Sequence, residues 1–141
     1  MSVEMVQINT SNTHLLRRVA ADVFDHEIRQ KHLKLYLAGA GNIMIVALKD
    51  GEVVGQIRGV VLLQPDCGPQ LFVENLGVTP ELKRSGIATE LMKILVERGR
   101  AQGCEEFWLA TETENEEAIG FYDSLSLLKT DIVMFANFVD N

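Results

Sequence analysis

Apolar positions along this chain follow two rhythms, one spaced at three and four residues, the other gathered in short continuous runs. Met5 to Ile8 is a short apolar run that predicts an edge strand, and Thr10 to Thr13 supplies helix-capping residues behind it. Leu15, Leu16, Val19, Ala20, Val23 and Phe24 recur at helical spacing and predict a first helix. A second helix, carrying Ile28, Leu33, Tyr36 and Leu37, is expected to stop at Gly39-Ala40-Gly41. The apolar runs Ile43 to Leu48 and Val53 to Leu63 flank Asp50-Gly51, a strong hairpin signal. A loop from Gln64 to Pro69 leads to a third run, Leu71 to Val78, so these three strands form an antiparallel meander. A helix from Ser85 to Gln102 would bury Ile87, Leu91, Ile94 and Leu95 and end at Gly103. It should bring the strand Phe107 to Thr111 back parallel to Leu71–Val78. Thr113-x-x-Glu116 reads as a capping box for a helix running through Tyr122 to about Leu125, and Ile132 to Phe138 as a closing strand. No repeat, linker or low-complexity tract interrupts this order, which makes residues 1–141 one α/β (α+β) domain.

Composition narrows the class. With 141 residues, 47% of them hydrophobic, the chain can fill one core. A formal net charge of −7 argues against a nucleic-acid binder, which needs a basic stripe. The same charge suits a cationic substrate, or solubility alone. No apolar run is long enough for a membrane span, and Met1 to Met5 does not open like a secretory signal, so a cytoplasmic protein is expected. Cys67 and Cys104 are too few for a disulfide framework, and the scattered His14, His26 and His32 offer neither a catalytic partner for them nor a metal site. Metal ligands are therefore expected to be none.

The chemistry concentrates between Asn75 and Thr89. A strand ends at Val78, turns at Thr79-Pro80, and passes through Lys83, Arg84, Ser85, Gly86, Ile87 and Ala88 into a helix. Such a loop offers an anion several amides, two cations and a positive helix end. It lacks the Gly-Lys-Ser/Thr of a Walker loop and the glycine pattern of a dinucleotide site. Taken alone, Gly86 can equally be a turn residue and Lys83-Arg84 a solvated pair. The pattern Lys83-x-x-Gly86-x-Ala88 resembles the acyl-CoA pyrophosphate loop of the GCN5-related N-acetyltransferase (GNAT) superfamily, with Lys83 in place of the usual Arg or Gln. A second motif agrees with it: Asn115-x-x-Ala118-x-x-Phe121-Tyr122 is similar to the run that opens the helix after the fifth strand in that family. The resemblance covers about Asp50 to Tyr122. It departs at Leu125-Ser126-Leu127, where relatives carry Leu-Gly-Phe.

The resemblance implies a GNAT fold, with a mostly antiparallel sheet of six to seven strands and about four helices. It implies acetyl-CoA as cosubstrate and no metal. The amides of Ser85, Gly86, Ile87, Ala88 and Thr89 would cradle the pyrophosphate, with Lys83 and Arg84 adding charge. Backbone near Leu76, Gly77 and Val78 would polarise the thioester carbonyl, Asn115 would touch the pantetheine arm, and Tyr122 would protonate the departing thiolate. Asn115 as a plain helix cap and Tyr122 as a core filler are the structural alternatives. An alkyl ammonium must lose a proton before it attacks. Glu74, on the strand before the loop, and Glu112, after the Phe107–Thr111 run, are the candidate bases or substrate anchors. Either can instead be a solvated charge. Asn75 stands where some relatives carry an acid. If strand pairing continues, Glu112 shares a face with Trp108 and Ala110.

The overall look is similar to aminoglycoside 3-N-acetyltransferase-like enzymes that act on small-molecule amines. The expected reaction is direct attack of such an amine on acetyl-CoA in a ternary complex. The alternatives are a noncatalytic acyl-CoA-binding regulator, an acetyltransferase acting on a peptide or protein amine, and a partner-binding domain. Homodimerisation through a sheet edge is left open by the resemblance.

Overall fold

The computed structural model describes residues 2–140, and they fall into two compact units that meet in sequence between Leu109 and Ala110. The first carries a five-stranded sheet in the order β1-β2-β3-β4-β5. Its strands are β1 (Glu4–Gln7), β2 (Asn42–Lys49), β3 (Glu52–Leu62), β4 (Gln70–Val78) and β5 (Phe107–Trp108). All neighbours are antiparallel except β4 and β5, which are parallel as the intervening helix requires. The helices of this unit are α1 (Gln30–Ala38) and α2 (Ile87–Ala101), with 3₁₀ turns at Thr13–Arg17 and Pro80–Leu82.

The continuous apolar runs of β2 and β3 are explained by burial on both faces. Residues opposite one another share a face, so Ile43, Ile45 and Ala47 stand with Gly59, Ile57 and Gly55. That face meets α2, whose Ile87, Leu91 and Leu95 side chains pack over Gly55 and Gly59. Ile87, Leu91, Met92 and Leu95 are all buried, while Ile94 is only partly so. Met44 and Val46 on the other face stand with Arg58 and Gln56 and join a core of Leu16, Val23 and Leu33. Asp50 and Gly51 turn the β2–β3 hairpin with positive φ (52° and 77°), as the Asp-Gly signal foretold.

Several expectations are corrected. The helix expected over Leu15–Phe24 shrinks to the 3₁₀ turn, because the next residues extend against β3. Val19 forms a parallel bridge with Val53, Val53 N–H donates to Arg18 O (2.9 Å), and Ala20 N–H donates to Val53 O (2.9 Å). The apolar spacing marked burial correctly, since Leu16 and Val23 lie in the core, but a strand edge took the backbone. The six-to-seven-strand sheet is five-stranded, and the closing strand over Ile132–Phe138 is absent. In the second unit, residues 127–138 form no regular element, and Ile132, Val133, Met134, Phe135 and Phe138 are exposed. A strand exists only through its partner, and among the described residues no ladder includes this run. Thirdly, β5 stops at Trp108 instead of reaching Thr111, its last pair being Phe72 with Trp108, whose rings stack at 4.4 Å. The only α-helix of the second unit, among the described residues, is α3 (Glu116–Ser124), so the helices number three, not four.

Candidate active site

The loop between β4 and α2 is built by local rules. Thr79 N–H donates to Val54 O (2.9 Å), pinning the end of β4 to β3, and the Pro80–Leu82 turn redirects the chain. Arg84 (φ 64°) and Gly86 (φ 90°) both occupy the left-handed region on either side of Ser85, whose hydroxyl donates to Leu82 O. Gly86 is the N-cap of α2 and has no side chain to cap it. Glu90 N–H takes Gly86 O (3.1 Å) as the first helical bond, which leaves the N–H groups of Ile87, Ala88 and Thr89 without intrahelical acceptors. A Cβ placed on Gly86 would meet nothing within 4 Å, so the space over this cap is open. Lys83 and Arg84 precede it. Open amides, a positive helix end and two nearby cations are groups that an anion can use.

Directly upstream, β4 has a free side. Leu76, Gly77 and Val78 pair with Ile57, Gln56 and Gly55 of β3, whereas β5 reaches β4 only at Leu71 and Phe72. From Val73 to Val78 the β5 side of β4 has no strand partner among the described residues. Backbone groups on such an edge can bind a carbonyl or an amide of a ligand. Gly77 has a further duty: a Cβ there would come within 2.2 Å of Val23 O, so only glycine lets that segment cross β4.

A bulge re-aims Glu74. The β3–β4 register jumps between Arg58↔Asn75 and Gly59↔Val73, leaving Glu74 as the extra residue. Strict alternation would put Glu74 and Asn75 on opposite faces; the bulge sets both toward the α1 side. Glu74 accordingly acts on Tyr36 of α1. Burial lifts the Tyr36 hydroxyl well above its ordinary pKa of 10, the Glu74 charge lifts it further, and the Arg58 guanidinium opposes both. Arg58 stands over the Phe24 ring at 5.9 Å from its centroid. A raised folded-state pKa means the unfolded chain gives up the phenolic proton first. Stability should therefore be fully present below pH about 10 and fall as pH rises above it. The urea midpoint should decline through that window, and Tyr36→Phe should flatten the decline; a wild-type midpoint that stays level would refute the assignment.

The remaining candidates lie in the second unit. Asn115 is the N-cap of α3, its Oδ1 accepting from Ala118 N–H (3.1 Å). Thr113 bonds Glu114 instead of capping, so the expected capping box is not formed. The Asn115 amide NH₂ makes no hydrogen bond among the described residues, so capping the helix and touching a ligand are compatible. Tyr122 sits on α3 with Phe121 edge-on at 5.2 Å, and burial raises its hydroxyl pKa above the ordinary 10. Glu112 is exposed and lies beyond the end of β5, so the shared strand face with Trp108 and Ala110 does not exist. Cys104 is buried and its thiol pKa is raised, the opposite of an activated nucleophile. Among the described residues no helix is long and apolar enough to cross a membrane, and no His, Cys, Asp or Glu group is placed to hold a metal.

Sequence reasoning missed Asp25, Gln56 and Asn75 as a linked set. Gln56 is wholly buried, and its Nε2 donates to Val23 O (3.1 Å) and Asn75 Oδ1 (2.6 Å). Asn75 Nδ2 donates to Asp25 Oδ2 (3.2 Å). A lone glutamine inside an apolar strand was the only available sign.

Comparison with known proteins fits this geometry. The model of the acetyltransferase (GNAT) family matches residues 10–126, across both units. An acetyltransferase from Pectobacterium atrosepticum is 29% identical over 92 residues, which is 65% of this chain and 62% of that protein. Coverage of other curated relatives falls to 43%, so the chain spans only part of their length. Among solved structures, an aminoglycoside acetyltransferase from an uncultured soil metagenomic sample, in complex with sisomicin, aligns with a TM-score of 0.84 at 20% identity. The alignment covers 97% of this chain and 96% of that one. AAC(6′)-Iy in complex with the bisubstrate analogue CoA-S-monomethyl-acetylneamine aligns with a TM-score of 0.81 at 21% identity, over 98% and 99% of the two chains. At these identities the solved structures establish a common fold. With the family model matched along most of its length, the chain belongs to the acetyltransferase (GNAT) family.

Proposed function

We propose that this protein is an acetyl-CoA-dependent N-acetyltransferase acting on a primary amine of a small cationic molecule, by direct attack in a ternary complex. The observation that carries the reading is the open helix start at Gly86 immediately after the unpaired edge of β4. One feature suits a pyrophosphate, the other the amide-bearing arm and the thioester beside it. Both motifs of the family resemblance fall on the loop and helix they require, and both named solved neighbours are complexes with aminoglycoside-type ligands or analogues.

In this reading the Ser85–Thr89 amides, with Lys83 and Arg84, bind the pyrophosphate. Backbone at Leu76–Val78 polarises the thioester carbonyl, and Asn115 holds the pantetheine arm. The amine, deprotonated by Glu74 or Glu112 directly or through water, attacks the carbonyl carbon. The tetrahedral intermediate collapses, its C–S bond breaks, and Tyr122 protonates the coenzyme A thiolate. A phenol is protonated at neutral pH and can donate to a thiolate, and burial shifts the Tyr122 pKa further upward. We take residues 1–141 to act as one acetyltransferase domain in the cytoplasm. The acidic balance, −7 overall, favours a polycationic acceptor such as an aminoglycoside.

The test is acetyl-CoA consumption against an amine panel holding sisomicin, spermidine, amino acids and a peptide with a free N-terminus. Turnover is expected with the polycations first. Tight CoA binding with no turnover on any member would replace this reading with a noncatalytic acyl-CoA-binding regulator, and turnover on the peptide alone would move the acceptor to proteins.

A further inference from the structure

The segment Val23–Asp25 runs over the face of β4 that carries Asn75 and Gly77. Val23 O lies on the bare Cα of Gly77, and two residues on, Asp25 meets Asn75, again two residues back along the strand. This pairing of 23 with 77 and 25 with 75 lays the segment antiparallel along one face, since alternate residues of a strand share a face. Gln56, opposite Gly77 in the ladder, ties both ends together through its Nε2.

The hydrogen bonds have a direction. The Gln56 amide donates to Asn75, and the Asn75 amide donates to Asp25, so the chain runs outward from a wholly buried group to an exposed carboxylate. Each step ends on an acceptor, and the last acceptor is an anion, which strengthens the series. Only one Asp25 oxygen is used. Among the described residues no lysine, arginine or histidine pairs with this carboxylate; Arg58, across the ladder from Asn75, is turned over Phe24 instead. The chain thus fixes a carboxylate in place and leaves it a free charge.

Its surroundings say what that charge can bind. Asn75 is the neighbour of Leu76, which lies within the unpaired edge, and of Glu74, the extra residue of the bulge. Asp25 also borders a cavity of about 840 Å³ whose lining includes Leu16, Arg17, Phe24, Glu27 and Ile28. That is room for a sugar-sized or polyamine ligand. We propose that Asp25, latched to β4 through the Gln56–Asn75 amide chain, is the carboxylate that seats an ammonium group of the acceptor. Gln56 and Asn75 are positioning residues, and Asp25 is the group that touches substrate. The assignment rests on the amine-acceptor reading above, so its test measures binding separately from turnover.

Sisomicin and spermidine are titrated calorimetrically into the CoA-saturated protein, with acetyl transfer assayed in parallel. Asp25→Asn should weaken amine binding ~10-fold or more, as loss of a charge-assisted bond does, and leave CoA affinity unchanged. Asp25→Glu should retain most of the affinity. Asn75→Ala should weaken amine binding in the same sense, and Asp25→Asn combined with Asn75→Ala should be no weaker than Asp25→Asn alone, since the two act through one contact. Unchanged amine binding in Asp25→Asn overturns the proposal, as does failure of the wild type to bind either amine. A charge-independent loss, equal in Asp25→Asn and Asp25→Glu and matched by lower melting temperatures, makes Asp25 a structural latch and also overturns it. Amine binding that depends on Asp25 without any acetyl transfer upholds the seat and removes the transferase reading instead.

Discussion

Tyr122→Phe is expected to lower kcat for acetyl transfer by ~10²-fold to ~10⁴-fold, the usual worth of a positioned general acid. The substitution removes only the phenolic oxygen and its proton. The ring survives, so its edge contact with Phe121 at 5.2 Å and the packing of α3 should survive with it. KM for acetyl-CoA should accordingly change little, since the hydroxyl acts on the thiolate as it leaves and not on the bound thioester. The pH dependence adds a second reading. Burial raises the Tyr122 pKa, so any fall in the wild-type rate from ionisation of this acid should begin only on the alkaline side of the ordinary tyrosine value of 10. Full activity in Tyr122→Phe would reduce this residue to a core filler. A loss of activity accompanied by an equal loss of folding stability would do the same.

Gly86→Val is expected to raise the apparent KM for acetyl-CoA by at least ~10-fold, equivalent to ~1.4 kcal/mol of binding. Two costs have to be separated. The cap sits at φ 90°, where any L residue is strained by ~1–2 kcal/mol, and a β-branched one is worst placed. That cost falls on the free protein. The second cost arises only with ligand: nothing occupies the space within 4 Å of an added Cβ, so the methyls of valine project into whatever the Ile87–Thr89 amides bind. Gly86→Ala carries most of the strain and little of the bulk. Measured side by side, the two variants should melt at similar temperatures, and valine should bind CoA the more weakly. Equal, wild-type affinity for CoA in both would remove the phosphate-loop assignment, leaving Gly86 a turn residue and nothing more.

Much of this was legible in residues met in order. Asp50-Gly51 announced the hairpin, and the apolar runs Ile43–Leu48, Val53–Leu63 and Leu71–Val78 announced the three strands of the meander. The spacing of Ile87, Leu91 and Leu95 announced the helix that covers one of them. These signals are local: turn chemistry, period and burial are properties of a few neighbouring residues. The helix start after Lys83 to Gly86 and the helix that carries Tyr122 behind its Asn115 cap were legible for the same reason, because a helix start and a helical face are short-range objects.

What failed was long-range. Leu15 to Phe24 has helical spacing, yet Val53 claimed its backbone from the far side of two strands, and a distant hydrogen-bond partner leaves no trace in local periodicity. Ile132 to Phe138 has strand composition and, among the described residues, no partner strand. The bulge that turns Glu74 toward Tyr36 is a register event between β3 and β4, invisible in either strand alone. Asp25 is separated by 50 residues from Asn75, and nothing in its own neighbourhood marks it.

The sequence by itself determined the strand, loop and helix start on the cofactor side of this protein, since a turn, a glycine and a helical period are written in neighbouring residues, and the second motif at Asn115 to Tyr122 was needed beside it to suggest coenzyme A. The acceptor side proposed above rests on contacts that exist only in three dimensions. There a buried glutamine, an asparagine and an aspartate from three separate segments converge because Gly77 has no side chain to keep Val23 away.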